Sequence, residues 1–446
     1  MPRPRRAGPH GRAGRSRTDM RSSRTKFIVP SGRVGQPPGM RYLVVVLVVT
    51  AGIARADDRA PVTLEQALAA AAKAPAARIG GYEVAAAEAS ATAASAWPNP
   101  SLRIGTNRLT ARLVAGATLP LPIFGTVGAA RRVAEAEAQV VRAESELAQR
   151  DLRHRVVVAW IGLARARDDL VAQGVAARQA ADLEAIARGR LSAGTGADVD
   201  VTVASAARIR ADVAVAAAQR SEDAASADLA GLLGWDPGRP LRAEGLPVVG
   251  PGGELAALRG RLAVHPERAA TERRIAVADA SIEQAEVQRW PALALEGELD
   301  YDDVSITEGR TAWDRTDAHV GVSLDLPVFA RIGDRTRAAQ ATAHAQRTRL
   351  AAIEAELDGK LHAAYRRWQA AAEQLTALER DVIPAHEKAA ALSMQAYREG
   401  ARDLSSALVA ERDLATARAE LSDTRAAAAL AFAELALASG EDVHAR

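Results

Sequence analysis

Trp97-Pro98 opens a stretch of alternating residues that closes on Leu119-Pro-Leu-Pro-Ile-Phe124, and Trp290-Pro291 opens a second that closes on Leu324-Asp-Leu-Pro-Val-Phe329. A glycine follows each Phe at the same offset, Gly128 and Gly333, and then comes a long tract rich in Ala, Glu, Arg and Gln. The first tract runs to Gly194 and the second to Gly400, 70 and 71 residues beyond the respective Phe. A repeat held at fixed offset over that distance means two copies of one supersecondary unit. The unit reads as a β-hairpin set on a very long helical hairpin, so the expected fold is mainly α with a small β part.

The second copy carries the clearer strand signal. Leu293, Leu295, Gly297, Leu299 and Tyr301 alternate with Ala294, Glu296, Glu298 and Asp300. Ala318, Val320, Val322, Leu324 and Leu326 alternate with His319, Gly321, Ser323 and Asp325. Each run is about ten residues, the length of a strand that crosses a bilayer. One face is apolar and the other carries carboxylates, the pattern of a strand with lipid on one side and a lumen on the other. Residues 302–317, with Trp313, read as the outer loop. The first copy is fainter, with Leu102 and Ile104 on one strand and Leu113, Ala115, Ala117, Leu119 and Leu121 on the other. On this reading Glu296, Glu298, Asp300 and Asp325 line the lumen and favour cations.

Four strands cannot close a barrel, because the smallest membrane barrels need eight. Strands that span lipid must also leave no open edge. Several chains are therefore expected to build one barrel.

Thr63-Leu-Glu-Gln-Ala-Leu68 starts a helical tract with a capping-box spacing of Thr63 and Gln66, and the tract is expected to run to about Ala96. Its counterpart is expected from Glu254 to Arg289. No proline falls between Phe124 and Pro237, and Val133, Val140, Leu147 and Ile161 lie on sevenfold spacing, which points to a coiled-coil-like seam. A helix continuous to Gly194 would be about 105 Å long and the return to Gly234 about 60 Å. Each half then sets one long helix beside two shorter ones stacked end to end. The Pro- and Gly-rich stretch 235–253 reads as a crossover between the halves.

Composition agrees. Aromatic residues make up 3% of the 446-residue chain, while Ala, Leu and Val carry most of its hydrophobic content. Helix-on-helix seams, not large aromatic anchors, must supply the burial. The formal charge of +3 hides an uneven distribution. Residues 1–56 hold 12 of the 58 Lys and Arg and one of the 55 Asp and Glu, so the remainder has 46 basic and 54 acidic groups, a net charge of −8. A basic nucleic-acid surface is not supported.

The run from Arg41 to Ala56 has a basic start, a short apolar core and an Ala54-Arg55-Ala56 cleavage site, and it reads as an export signal cleaved to leave Asp57 first. Met40 directly precedes it and reads as the start, with 1–39 either untranslated or a disordered extension. The expected layout is an extension over 1–39, a signal over 40–56, a first repeat over 57–234, the crossover 235–253 and a second repeat over 254–446. The hairpins fall at about 100–122 and 291–328, and the helical tips near Gly194 and Gly400. The chain has no cysteine, which excludes disulfides, thiolate metal sites and a lipid-modified Cys.

Taken together, the Leu-Glu-Gln-Ala-Leu opening, Trp97-Pro-Asn-Pro100, the paired Leu-Pro-[Ile/Val]-Phe exits and the two glycine turns resemble the TolC family of outer-membrane efflux channels. The resemblance covers nearly all of the chain after the signal. It implies a homotrimer in which twelve strands form one outer-membrane barrel and twelve helices form a periplasmic tunnel, closed at the glycine turns. It further implies a periplasmic adaptor and an inner-membrane transporter as partners in a Gram-negative bacterium, most similar to the resistance-nodulation-division branch, with a weaker pointer to heavy metals over organic solutes. By the same resemblance Asp200, Tyr397 and Arg402 tie neighbouring helices shut at the tips. Ser406 and Val409 stand where the best-known member carries acidic residues, so a carboxylate ring at that turn is not implied.

Nothing in the sequence singles out an enzyme or a bound cofactor. The histidines His154, His265, His319, His344, His362, His386 and His444 are never paired at i, i+3 or i+4, so no tight metal site is expected. Gly194-Thr-Gly196 lacks the Lys and the preceding strand of a phosphate loop. Two other readings fit parts of the chain. The outer-membrane duct of a type I protein-secretion system shares the expected fold. A periplasmic coiled-coil spacer or adaptor fits the helices but leaves the strand pairs without a purpose.

Overall fold

The computed structural model describes residues 59–106, 112–245, 249–250, 252–302 and 316–441. The expected extension and export signal, residues 303–315 of the expected outer loop with Trp313, and His444 lie outside them, while the ends of that loop, 302 and 316–317, belong to strands. The first half begins with a short strand β1 (Ala60–Val62), then helices α1 (Leu64–Ala71) and α2 (Pro75–Ala94). Strands β2 (Ser101–Thr106) and β3 (Arg112–Leu121) follow, then helices α3 (Thr126–Ser192) and α4 (Asp198–Leu233). A strand β4 (Leu241–Ala243) lies in the crossover. The second half has α5 (Leu255–Arg261), α6 (Pro266–Val287), β5 (Ala292–Asp302), β6 (Thr316–Asp325), α7 (Ile332–Ala377), α8 (Ile383–Arg398) and α9 (Leu404–Ala438).

The repeat is closer than the sequence suggests. The first long limb, α3, has 67 residues, about 100 Å of helix. The second limb runs from Ile332 to Arg398 and spans the same number, but it is not one α-helix. Pro384 lacks an N–H and its ring would collide with the carbonyl four residues earlier. A π-turn over Leu378–Val382 widens the helix just before it. The return limbs α4 and α9 match as well, with 36 and 35 residues.

Prolines also divide the two short tracts expected to be continuous. Thr63 caps α1 through the expected box, its hydroxyl accepting from the N–H of Gln66 at 3.2 Å while the Gln66 amide oxygen accepts from the Thr63 N–H at 3.1 Å. The helix then stops, and Pro75 restarts it as α2. Pro266 does the same for α6, after a single 3₁₀ turn at Leu262–Val264. A proline at the first helical position costs nothing because that N–H has no helical partner.

The helices lie four abreast at each level. In the half nearest the sheet the order is α2, α3, α6, α7, and in the half nearest the tips it is α4, α3, α9, α8. The sevenfold period of α3 holds, but its phase does not. Of the four residues expected on the seam, Ile161 is buried but Val133, Val140 and Leu147 are only half-buried, and over that stretch Ala138, Ser145 and Leu152 form the buried line. Alanine and serine are too small to be read as knobs from sequence, yet they allow the close approach of helices that this chain uses throughout α9.

The largest core lies at mid-length, where β1, β4 and α1 wrap across α3, α4 and α9 around Trp160. The indole N–H of Trp160 donates to the Val62 carbonyl at 3.0 Å. β1 pairs with β4 in parallel. The crossover then passes tightly over the second half, since a Cβ on Gly250 would lie 2.8 Å from the Phe432 ring and one on Gly252 2.7 Å from that of Trp368.

Candidate functional sites at the helix tips and on the sheet face

Both tips turn through a left-handed glycine, Gly194 at φ 73° and Gly400 at φ 75°, a conformation that side chains with a Cβ resist. α4 then starts with Asp198 and Asp200 in its first turn, where carboxylates suit the helix dipole. Asp403 caps α9. The Ser405 and Ser406 hydroxyls beside it hold its carboxyl below the usual range.

Tyr397 is buried, 1% exposed, in a cluster with Leu183, Ala187, Ala204, Leu404 and Ala407 drawn from both hairpins. Arg190 lies over its ring at 4.8 Å from the centre, and its Nη1 donates to the Tyr397 carbonyl at 2.7 Å. Burial, with the charge of Asp200 adding to it, pushes the phenol above its ordinary pKa, against the pull of Arg190. The tip thus brings Asp200 and Tyr397 into one electrostatic neighbourhood. Arg402 is exposed and, among the described residues, its side chain makes no hydrogen bond or ion pair. It lies along the α8–α9 groove with His386, Ser405, Ser406, Val409 and Asp413. The cation that engages Tyr397 is Arg190, whose only sequence signal is a place in the last turn before Gly194. Just above it Glu184, also buried, is clamped by Arg188 at 2.6 Å and Arg208 at 2.7 Å, tying α3 to α4.

At the other end the two hairpins join into one antiparallel sheet of order β2-β3-β5-β6. The register puts Leu102, Ala117, Gly297 and Val320 in one row and Leu119, Leu295 and Val322 in another, all on the same face. That face is exposed, with Leu102, Ile104, Leu113, Leu295, Leu299, Val320 and Val322 open to the surroundings. Glu296, Glu298, Asp300 and Asp325 all fall on the opposite face. The same register puts Arg103 and His319, which were outside the expected set, on this face as well. Arg103, Gly116, Glu298 and His319 form one row, and His319 Nε2 lies 3.8 Å from Asp300 Oδ2. Among the described residues no helix is long and apolar enough to cross a membrane, and no group of three or more metal-binding side chains is placed to hold an ion.

The family model described as outer membrane efflux protein matches residues 64–235 and 260–441. The chain belongs to that family. The efflux protein's fold is similar to those of several solved channels. The outer-membrane channel OprN aligns with a TM-score of 0.70 at 22% identity, over 84% of this chain and 89% of that one. The outer membrane protein VceC from Vibrio cholerae aligns with a TM-score of 0.70 at 17% identity, over 85% and 97%. The open state of the MtrE outer membrane channel from Neisseria gonorrhoeae aligns with a TM-score of 0.67 at 18% identity, over 85% and 89%. No curated protein matches the sequence. Members of this family are channels, not enzymes.

One buried charge cluster of the efflux protein escaped the sequence reading altogether. Glu222, on α4, is fully buried, in close ion-pair contact with Arg59 and 3.7 Å from Arg167 Nη1. Arg59 also donates to Asp223 at 2.6 Å. These contacts fasten the chain just before β1 to the middle of the helical layer.

Proposed function

We propose that this efflux protein is one third of an outer-membrane exit duct in a tripartite pump. Three copies join their sheets into a twelve-stranded barrel in the outer membrane of a Gram-negative bacterium. Their helices continue it as a twelve-helix tunnel through the periplasm, where the tips meet an adaptor and an inner-membrane transporter. Small solutes or metal cations are its cargo. The observation that carries this reading is the four-stranded sheet, which has one exposed apolar face and, at β2 and β6, two edges with no strand partner among the described residues. An open edge is tolerable in lipid only if another chain covers it. Four helices abreast at every level support the same number of chains. Heat-modifiable migration of an outer-membrane fraction and the native mass in mild detergent test it; a soluble periplasmic monomer would overturn it.

The tips form the gate on this reading. The charge of Asp200 acts on Tyr397 within one chain, and the exposed Arg402 on the adjoining turn is the group that would pair with a neighbouring copy. A single exposed Arg–Asp pair contributes only about 0–1 kcal/mol, but three around a ring bias the closed state enough to make the open form rare. Reconstituted Arg402→Ser, Asp200→Ala channels should conduct more than the parent; unchanged conductance with trimers intact would place the gate elsewhere.

The barrel interior carries Glu296, Glu298, Asp300 and Asp325, with Arg103 and His319 offsetting them at the height of Glu298. The net acidic face favours cations, which reversal potentials in a salt gradient read directly.

A further inference from the structure

Within one chain the landmark aromatics of the two repeats meet. Phe124, which closes the first hairpin, stacks on Trp290, which opens the second, with ring centres 5.6 Å apart and planes 6° from parallel. The stack sits beside the β3–β5 junction, where the exit strand of one hairpin pairs with the entry strand of the next. The repeat supplies the same two residues a second time. Phe329 closes the second hairpin after β6 and Trp97 opens the first before β2. Among the described residues neither ring stacks on another, and both are open, Phe329 at 97% and Trp97 at 64% exposure. The strands they flank, β6 and β2, are the two edge strands.

We infer that Phe329 of each copy stacks on Trp97 of the next, reproducing the Phe124–Trp290 stack at every junction between chains. This rests on the trimer reading and adds to it the residue pair that sets how neighbouring copies meet. The occupant of the exposed aromatic patch is thus a second copy of this chain. Continuity supports it, because β6 meeting a neighbour's β2 repeats the exit-to-entry, antiparallel pairing of β3 with β5. Offset stacking of two aromatic rings also stabilises beyond the area that they bury, and the patch lies where an edge strand must find its partner. A lipid-facing role for Phe329 is the competing use of the same ring.

The chain has no cysteine, so introduced thiols report cleanly. The full-length protein carrying Trp97→Cys with Phe329→Cys, treated in the membrane with a short bis-maleimide, should give covalent dimers and trimers. Either single substitution should not. Phe124→Cys with Trp290→Cys should cross-link within the chain and stay monomeric on a denaturing gel. If removing both rings prevents assembly, Asn99→Cys with Ala330→Cys keeps the aromatics and makes the same measurement from flanking positions. Intact trimers on a native gel that yield no more cross-linked oligomer than the single-cysteine proteins overturn the stack alone. Absence of any trimer in the parent protein overturns the trimer reading and the stack with it.

Discussion

Arg190 and Tyr397 stand 207 residues apart in sequence, and one guanidinium both covers the tyrosine ring and donates to its backbone carbonyl. A second donation, at 3.4 Å to the Thr195 carbonyl, returns to the turn of its own hairpin. The two helical tips of a chain are therefore fastened to each other by one side chain. Replacing Arg190 with Ala removes a cation–π contact and a charge-assisted hydrogen bond, about 1–2 kcal/mol together. Amide exchange across residues 394–404 should speed up by about tenfold, since 1.4 kcal/mol is a factor of ten in local opening. Arg190→Lys should recover little of the protection, because an ammonium lacks the planar fork. Equal exchange rates in all three proteins would mean that the hydrophobic cluster alone holds the tip.

Leu295 and Val322 are cross-strand partners on the exposed face, 40% and 65% accessible. If that face meets lipid, Leu295→Arg and Val322→Arg should each cost about 2–4 kcal/mol near the bilayer midplane. Both should deplete heat-modifiable trimers from the outer membrane. Arginine at the neighbouring Gly321, whose position lies on the opposite face, should be tolerated better. Normal assembly of both apolar-face variants would show that the sheet is not lipid-exposed.

Glu222 is a carboxylate without solvent, and its removal leaves Arg59, whose side chain is 9% exposed, with the solvent-exposed Asp223 as its remaining partner. Because Asp223 still pairs with Arg59, Glu222→Ala is expected to destabilise by up to about 3 kcal/mol, the low end for a broken buried pair, whereas Arg59→Met with Glu222→Leu should lose less. Thermal unfolding of the detergent-solubilised proteins makes the comparison. A double variant as unstable as the single one would show that the ion pair does more than compensate its own burial.

His265 caps α6 by accepting from the Glu267 N–H at 3.3 Å through Nδ1, while Nε2 faces the Leu437 carbonyl at 3.4 Å. That pattern needs the neutral imidazole, and burial holds its pKa below the ordinary value against the Leu437 carbonyl and Glu267. The unfolded chain takes up a proton near about pH 6.5 that the folded chain refuses, so this stability is complete above that pH and is lost as the pH falls towards the folded pKa. Burial raises the carboxyls of Asp168 and Glu411, which work in the opposite sense, but they cancel in a comparison of variants. His265→Asn retains an N-cap and should lose less stability than the parent from about pH 7.5 to about pH 5.5. Parallel losses would remove His265 from the acid response.

What the sequence by itself determined is everything with a local period. Alternation marked the apolar and carboxylate faces of the strands, the Thr63–Gln66 spacing marked a helix start, and Gly194 and Gly400 marked the tips. Duplication of Trp-Pro and Pro-[Ile/Val]-Phe revealed the two repeats. These signals are legible because strand and helix geometry repeat every two and every 3.6 residues, and turns need particular backbone angles. Prolines 75, 266 and 384 were equally local and were passed over, at the cost of three helix breaks.

Only the tertiary structure decided which of many similar residues meet. Arg190, not one of its numerous neighbours, reaches Tyr397; Arg59 reaches Glu222; Phe124 reaches Trp290, leaving Phe329 and Trp97 open. The buried line on α3 runs through Ala138 and Ser145, not through the valines seven apart. In a chain built from Ala, Arg and Glu, residues of one type are interchangeable along the sequence. Their partners are selected only when helices up to about 100 Å long dock in one register, which no local period contains.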